Sequence, residues 1–402
     1  MNRYQKHLIV IFVLVFSLIR SEHSLADIWE ITYATAVNSN GTVAGSTSEF
    51  VFVWTLAEGI QELPSLDHDC SVFAAGGASG ISADDSTVVG TFVCEAFRWT
   101  DVDGMQGIGF LPNGIFSSAR GVSANGEMIV GWGREGIYED GRLVGSGDPE
   151  AFHWTSSDGM QSLGFLPGGS SSRAFDISSD GSTIVGTAED ASGRVMPVRW
   201  TANGEVEQLE IPETSLSGFA SAVSDDGAVV VGGDIRNDDA TEGIAGRWTA
   251  DGTFQSLGVL PGEVNSGVSG VSGNGSVIVG GSGSKPIIYT EAAGMKLLAS
   301  VLTAQGVDLS NWSELQYVLS ISPNGRYVVG GGLNKDNDDA GFVAKLALWG
   351  DVNQDDSLDL LDIIPFVDVL VNNGFLYEAD INQDGAVDLL DVQPFVALLS
   401  AN

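Results

Sequence analysis

The chain has 402 residues and a formal net charge of −36, with 53 Asp and Glu residues against 17 Lys and Arg residues. A surface this acidic repels phosphate backbones and anionic lipid head groups, which disfavours nucleic acids and membrane surfaces as partners. A chain of this length can build a sizeable apolar core.

The N-terminus has the pattern of a secretory signal peptide over residues 1–26. A short basic start with Arg3 and Lys6 precedes the uninterrupted apolar run LIVIFVLVFSLI, and Ser24 and Ala26 are small residues at the positions that a signal peptidase reads. The run is too short for a comfortable membrane span, so we favour cleavage over an uncleaved anchor. We therefore expect export to the cell surface or beyond, with no membrane insertion after cleavage.

One phrase occurs seven times in the next part of the chain, and its final glycines lie 41 to 55 residues apart. The copies are NSNGTVAG, SADDSTVVG, SANGEMIVG, SSDGSTIVG, SDDGAVVVG, SGNGSVIVG and SPNGRYVVG. A second phrase, such as AFHWTSSDGMQSLG, follows most copies. In both phrases a Gly-containing turn separates strand-forming residues, which is typical of a hairpin in which the Asn-Gly or Asp-Gly pair accepts positive φ angles. Two hairpins per copy predict four short strands per repeat.

Four-stranded units at this period predict a mainly β fold, a seven-bladed β-propeller over residues 27–348. The last copy supplies three strands only, whereas DIWEITY (27–33) is a strand ahead of the first turn phrase. We therefore expect the N-terminal strand to complete the last blade and close the ring. An open stacked β-solenoid is the alternative, although its coils are usually shorter.

Two strand positions recur with the same residue types. Tryptophans occupy one slot in five copies: Trp54, Trp99, Trp154, Trp200 and Trp248. Strict recurrence favours packing of blade against blade over a row of sugar-stacking platforms, because a binding site usually breaks the symmetry. The residues directly before four of them are expected to pair with carboxylates of a neighbouring blade: Arg98, His153, Arg199 and Arg247.

Three segments break the repeat: a long loop at 132–150, an acidic loop at 233–243, and an insertion at 298–316 with a short helix ending at Gly306. Variable loops on a rigid frame carry recognition, so a ligand such as a glycan is expected among them. Trp132, Tyr138 and Trp312 are the aromatic candidates. The chain has no Ser-His-Asp, metal-histidine or phosphate-loop motif, so catalysis has no support and we assign no catalytic residues.

The chain contains two cysteines, Cys70 and Cys94. Export to an oxidising compartment predicts a disulfide between them that closes one surface loop. Two unpaired thiols would need a reducing environment.

Residues 349–402 form a separate acidic unit with two matching phrases, DVNQDDSLDLLD (351–362) and DINQDGAVDLLD (380–391). Ligands at positions one, three, five, seven, nine and twelve of such a loop wrap a calcium ion. The predicted ligands of two calcium ions are Asp351, Asn353, Asp355, Ser357, Asp359 and Asp362 in the first loop, and Asp380, Asn382, Asp384, Ala386, Asp388 and Asp391 in the second. Gly385 supplies the bend at position six, where the first loop has Asp356, so we expect the first site to bind more weakly.

Apolar residues at helical spacing follow each loop, in LLDIIPFVDVLV and LLDVQPFVALLS. This apolar content argues against a disordered acidic tail. Without a cation the loop carboxylates repel one another, so metal binding and folding of this unit should be coupled.

The repeat pattern AFxWT…GMQxLGxLPGG resembles the exported HAF-type repeat, with Glu95 and Glu150 where that family has His. Such repeats are defined by pattern and imply no catalytic residues. The two loop–helix units over 350–402 resemble a type I dockerin, a small helical module with EF-hand-type loops. Dockerins bind cohesin modules and so attach their owner to an extracellular assembly.

The residues after position nine, often Ser-Thr in cellulosomal dockerins, are Leu360-Leu361 and Leu389-Leu390 in this chain. This departure argues against a conventional cohesin and leaves two alternatives, an apolar docking face for a cell-surface protein or packing between the two helices.

The sequence therefore predicts a secreted, non-catalytic binding or scaffold protein. Its propeller would recognise a ligand or protein, and its dockerin-like module would attach it in a calcium-dependent way to an extracellular or cell-surface assembly. The alternative is a carbohydrate-active enzyme or lectin, with a glycoside hydrolase-like propeller, delivered to a polysaccharide-degrading complex.

Overall fold

A computed structural model describes residues 27–401 except 32, 48, 65–76, 141, 202–203, 238–241, 348–349, 353–359, 373–375 and 382–385. The described strands form seven four-stranded antiparallel sheets, and six of them are each built from four consecutive strands of one repeat. The prediction of a mainly β, seven-bladed propeller is confirmed.

The strands follow the repeats in chain order. The described part of the chain begins with β1 (Asp27–Ile31), and the first blade contains β2 (Ala34–Val37), β3 (Val43–Ser46), β4 (Val51–Thr55) and β5 (Gly59–Glu62). The second blade contains β6 (Gly77–Ile81), β7 (Val88–Phe92), β8 (Glu95–Thr100) and β9 (Gly104–Gly107), and the third β10 (Gly114–Val122), β11 (Met128–Glu139), β12 (Arg142–Thr155) and β13 (Gly159–Ser162).

The fourth blade contains β14 (Ser172–Ile177), β15 (Thr183–Glu189), β16 (Val195–Thr201) and β17 (Val206–Gln208). The fifth contains β18 (Ser217–Val223), β19 (Val230–Ile235), β20 (Ala245–Trp248) and β21 (Phe254–Gly258), and the sixth β22 (Ser266–Val271), β23 (Val277–Ser282), β24 (Lys285–Thr290) and β25 (Gly294–Leu297). The seventh contains β26 (Trp312–Ile321), β27 (Tyr327–Asn334) and β28 (Asp339–Lys345).

The seventh blade is completed by the N-terminal strand. β1 pairs antiparallel with β28, placing Ile28 opposite Ala344 and Ile31 opposite Gly341. The sheet order is therefore β26-β27-β28-β1, and one sheet contains both the first and the last strand of the ring.

The turn between the first two strands of a blade is held by its own side chains. In the third blade Ser123 donates its hydroxyl to Asn125 Oδ1 at 2.8 Å, and the same oxygen accepts the N–H of Glu127 at 3.1 Å. Gly126 has a φ of +70°, whereas Asn125 is not left-handed. The prediction of positive φ angles at both residues of the Asn-Gly pair was therefore wrong. The asparagine side chain acts as a hydrogen-bond acceptor, and only the glycine adopts the left-handed conformation that disfavours a side chain.

The recurring tryptophans pack between blades. Trp200 of the fourth blade lies in one apolar cluster with Val130 and Ala151 of the third, and Trp248 of the fifth packs with Val185 of the fourth. Both indoles are fully buried. Packing, rather than a row of stacking platforms, explains this slot.

The segment 132–150 is not a loop. β11 and β12 continue as a paired hairpin as far as Glu139 opposite Arg142, with two register shifts on the way. The prediction of a loop overlooked that Ile137, Tyr138 and Leu143 are strand-forming residues on either side of a turn. Tyr138 is exposed on this hairpin.

The structure describes three helices that follow or interrupt the sheets: α1 (Leu298–Ala304), α2 (Ile363–Val371) and α3 (Leu389–Ala401), with 3-10 turns at Leu360–Asp362 and Tyr377–Ala379. The rings of Phe366 and Phe395 stack with centroids 4.0 Å apart and join α2 to α3. One apolar cluster extends from the last blades through Leu346 and Val352 to these two rings. No helix that the structure describes is long and apolar enough to cross a membrane.

Candidate functional site

The propeller surrounds a central cavity of about 210 Å³, lined by the inner strand of every blade. Each inner strand has a register shift at this point, which leaves one unpaired residue: Thr35, Ser79, Arg120, Phe175, Ser221, Ser269 and Leu319. Bulges of this kind re-aim a side chain without ending the sheet. The cavity wall therefore carries one bulge residue from each blade.

Four of the seven bulge residues connect neighbouring blades through a hydroxyl group. The bonds are Thr35 to the Ala78 carbonyl (2.8 Å), Ser79 to Ala119 (2.7 Å), Ser221 to Val268 (3.1 Å) and Ser269 to Val318 (2.9 Å). Arg120, Phe175 and Leu319 replace the hydroxyl in the other three blades. The symmetry of the cavity is therefore broken at those three positions.

A circle of hydrogen bonds between successive turns also lines this cavity. The backbone N–H groups of five residues each donate to a carbonyl of the next turn at 2.7 to 3.1 Å: Ala83 to Ala124, Ala124 to Ser179, Ser179 to Asp225, Asp225 to Gly273 and Gly273 to Pro323. The N–H of Asn324 donates to Ser39 Oγ at 3.2 Å, and the Asn38 amide donates to the Ser82 carbonyl at 3.3 Å. These contacts join all seven blades near the axis.

Asp176 is an acidic residue of the inner strand β14 that lines the cavity. Its two carboxylate oxygens accept the N–H of Ile177 and the N–H of Val223 in the next blade, each at 2.9 Å. Part of the residue is accessible from the cavity, but the blades enclose its carboxylate, and this burial raises the pKa of Asp176 to about 7. The two N–H donors oppose the shift, and Asp225 adds to it. The cavity therefore contains a carboxyl group that titrates near neutral pH.

Neither the inter-blade circle nor Asp176 was predicted from the sequence. The signal for Asp176 is present in the repeat, because the residue after the bulge is Ala36, Gly80, Gly121, Ala222, Gly270 or Ser320 in the other blades. Only the fourth copy has a charge there. An added Cβ on Gly121 would lie 3.1 Å from the Asp176 Cα atom, so these two blades are close at this position.

The residues before the tryptophans pair differently from the prediction. Arg247 forms an ion pair with Glu291 of the next blade at 2.6 Å, but Arg199 pairs with Glu207 and Arg98 with Asp103 inside their own blades. The neighbouring-blade prediction was wrong for these two because β17 and the turn before β9 place a carboxylate nearer. Burial lowers the pKa of His153, which favours its neutral form.

The structure describes six of the twelve predicted calcium ligands. Asp351, Asp362, Asp380 and Asp391, at the first and last positions of the two loops, are 1%, 0%, 2% and 0% exposed, whereas Ala386 and Asp388 are exposed. The other six lie outside the described residues: Asn353, Asp355, Ser357, Asp359, Asn382 and Asp384. Among the residues with described positions, no group of three or more His, Cys, Asp or Glu side chains that could hold a metal is found.

The end of the second loop is joined to the first turn of α3. Asp391 Oδ2 accepts the N–H of Asp388 at 2.9 Å, and Asp388 Oδ1 accepts the N–H of Leu390 at 2.7 Å. Carboxylate oxygens such as these are the ligand atoms that calcium prefers. Calcium at either loop stays a prediction.

The four predicted docking leucines lie at the surface. Leu360, Leu361, Leu389 and Leu390 are 65% to 79% exposed, so they do not pack the two helices together. Phe366 and Phe395 do so instead. A docking role for the leucines stays a prediction.

Cys94 is buried and disulfide-bonded, and Cys70, its predicted partner, lies outside the described residues.

Seven sheets around a central cavity define the chain as a β-propeller protein. Among solved structures, oligogalacturonate lyase in complex with manganese is similar over 80% of this chain and 91% of its own, with a TM-score of 0.51 and 9% identity. TolB from Acinetobacter baumannii is similar over 65% of this chain and 60% of its own, less than two thirds, with a TM-score of 0.40 and 14% identity. Identities this low indicate a shared fold alone. No protein-family model and no curated protein matches the chain.

Proposed function

We propose that this chain is a secreted, non-catalytic binding protein. Its propeller presents a recognition surface, and its C-terminal unit, a dockerin-like module, attaches it in a calcium-dependent way to an extracellular or cell-surface assembly. The observation that carries this proposal is the burial of Asp351, Asp362, Asp380 and Asp391, the first and last residues of the two matching loops.

Burial of an ionised carboxylate is costly unless hydrogen bonds or a cation compensate it. No Lys or Arg follows Lys345 in the sequence, so the C-terminal unit has no basic side chain of its own to supply that charge. A calcium ion at each loop would supply it, with the twelve predicted ligands as the coordinating groups. The HAF-type and dockerin-like motifs add an extracellular setting for such a module.

Calorimetric titration of the metal-stripped full chain with calcium tests the module. We expect two calcium ions per chain in the unmodified protein. Each of the single variants Asp362→Asn and Asp391→Asn should bind one. Asp368→Asn is the matched control, because Asp368 is an exposed carboxylate on α2 that we do not assign as a ligand. Absence of calcium binding by the unmodified chain would refute the proposal.

Limited proteolysis measures the consequence for structure. We expect a chelator to make the region after residue 349 susceptible to cleavage and to leave a resistant propeller fragment. Equal protection with calcium and with chelator would contradict the proposed coupling of metal binding and folding.

The attachment surface has its own test. The exposed leucines Leu360 and Leu389 occupy equivalent positions after the two loops. We expect Leu360→Asp/Leu389→Asp to bind two calcium ions but to lose calcium-dependent retention on the host's surface fraction. Val102→Asp is the matched control, because Val102 is a turn residue of the propeller that is 93% exposed. Leu319→Asp would not serve as a control, because Leu319 lines the propeller cavity.

Export is measured directly. N-terminal sequencing of the protein recovered outside the cell should begin at Asp27, which is both the residue after the predicted cleavage site and the first residue of β1.

A further inference from the structure

Three arginines lie close together where the third and fourth blades meet. Arg120 is the bulge residue of β10 and lines the cavity, Arg173 is on β14, and Arg134 is on β11. The guanidinium carbons of Arg134 and Arg173 lie 5.7 and 5.4 Å from the centroid of the Trp132 ring. Phe116 packs against the same indole with centroids 4.9 Å apart. The aromatic pair therefore positions two of the three guanidinium groups.

These arginines differ from five ion-paired cations of the propeller. Arg98, Arg199, Arg236, Arg247 and Lys285 each have a carboxylate oxygen within 2.6 to 3.7 Å. Among the described residues, Arg120, Arg134 and Arg173 have no ion pair within 4 Å, although the chain has 53 acidic side chains. Within the described part of the chain, Arg134 donates to Ser146 Oγ at 3.5 Å and to the Gly147 carbonyl at 3.3 Å.

The electrostatic effect of this arrangement extends through all three residues. Burial and the charge of Arg173 lower the pKa of Arg120, and burial and the charge of Arg134 lower the pKa of Arg173. Glu189 and Asp148 partly offset the second shift but form no ion pair with Arg173 in the described structure. Like charges held near one another at the junction of the third and fourth blades repel one another, and an anion that binds there reduces that repulsion.

We propose that Arg120, Arg134 and Arg173 form a binding site for a ligand that carries two or three carboxylate groups. Guanidinium groups match carboxylates through paired N–H donors. The arginines extend from the cavity wall outward beside Trp132, which fits spaced single charges better than one compact phosphate. The buried indole N–H of Trp132 has no acceptor in the described part of the chain and is one further donor in this cluster.

This site deepens the recognition role proposed for the propeller and involves no residue of the C-terminal unit. Failure of the site therefore leaves the calcium-dependent attachment to be judged by its own titration. The two results are distinguishable in the same preparation, since calcium stoichiometry and anion affinity are separate measurements.

The test is calorimetric titration of the full chain with citrate, acetate and inorganic phosphate at constant ionic strength. We expect citrate to bind most tightly, and Arg120→Gln and Arg173→Gln each to weaken citrate binding by about tenfold or more, as for loss of a charge-assisted hydrogen bond. Arg199→Gln is the matched control, because it removes the same charge from an ion-paired arginine of the fourth blade. Its citrate affinity should change less than about twofold, as for a screened charge.

A second measurement separates binding from folding. The midpoint of thermal unfolding without citrate reports any structural role of each arginine, and the rise in that midpoint on adding citrate reports the site. We expect the rise to be lost in Arg173→Gln and kept in Arg199→Gln. Absence of citrate binding, tighter binding of phosphate than of citrate, or equal losses in Arg199→Gln and Arg173→Gln would each overturn the proposal.

Discussion

The buried carboxyl group of Asp176 makes a prediction about the pH dependence of stability. Its pKa is about 7 in the folded chain against an ordinary value of 3.8. The folded state therefore holds the proton more tightly than the unfolded state does. The stabilisation from that proton is present in full below pH 3.8 and is lost as the pH rises through 7.

The magnitude follows from proton linkage. Between the two pKa values the free energy of unfolding falls by about 1.4 kcal/mol per pH unit, so from pH 5 to pH 8 the loss is at most about 2.5 kcal/mol. Because Asp176 is partly exposed to the cavity, its charge is screened, and we expect a loss of roughly 1 to 2.5 kcal/mol.

Asp176→Asn isolates this contribution. Asparagine keeps one acceptor oxygen and loses the other, which lowers stability by an amount that does not vary with pH. Urea unfolding at pH 5, 6.5 and 8 should show that the unmodified chain loses stability with rising pH relative to the variant. Asp101→Asn, at an exposed turn residue, is the matched control and should follow the unmodified chain. Parallel profiles for Asp176→Asn and the unmodified chain would refute the reasoning.

Three further predictions concern the blades and the ring. Trp248→Phe should cost about 1 to 3 kcal/mol more unfolding free energy than Trp200→Phe, because only the Trp248 indole N–H donates to a backbone carbonyl, and urea unfolding of both variants measures this. Gly232→Ala should lower stability by about 2 kcal/mol or more in the same assay, because its Cβ would overlap a backbone oxygen, whereas Gly267→Ala, with open space around the Cβ, should stay within about 0.5 kcal/mol. A chain that starts after residue 31 should be cleaved faster by protease, and a peptide of sequence DIWEI should restore protection; an unchanged cleavage rate would show that β1 is dispensable.

The architecture could be predicted from the sequence because its determinants are local and repeated. Five of the seven turn phrases carry their own serine, Asx acceptor and glycine, and the spacing of the phrases indicates how many blades there are. The end of α1 near Gly306 followed from the same kind of signal, a glycine at φ +80° just after the helix.

The cavity could not be predicted in this way because its neighbours come from different repeats. The pKa of Asp176 depends on a backbone N–H of Val223 and on Asp225, 47 and 49 residues further along the chain by their numbers. The segment beyond Trp132 interrupts the sequence repeat but continues the sheet as a hairpin, so a break in the repeat does not by itself indicate a loop. The partners of Arg98 and Arg199 depend on side-chain reach within a blade, which strand alternation does not determine.

The closure of the seventh blade has a mechanical consequence for a tethered molecule. In the first six blades the last strand of the repeat is an edge strand, but β28 lies between β27 and β1, with seven aligned residue pairs on one side and five on the other. Tension that enters the propeller from the C-terminal side at Lys345 is therefore shared by two rows of hydrogen bonds. An outermost strand that comes from the start of the chain lets the ring resist being peeled open from its C-terminal end.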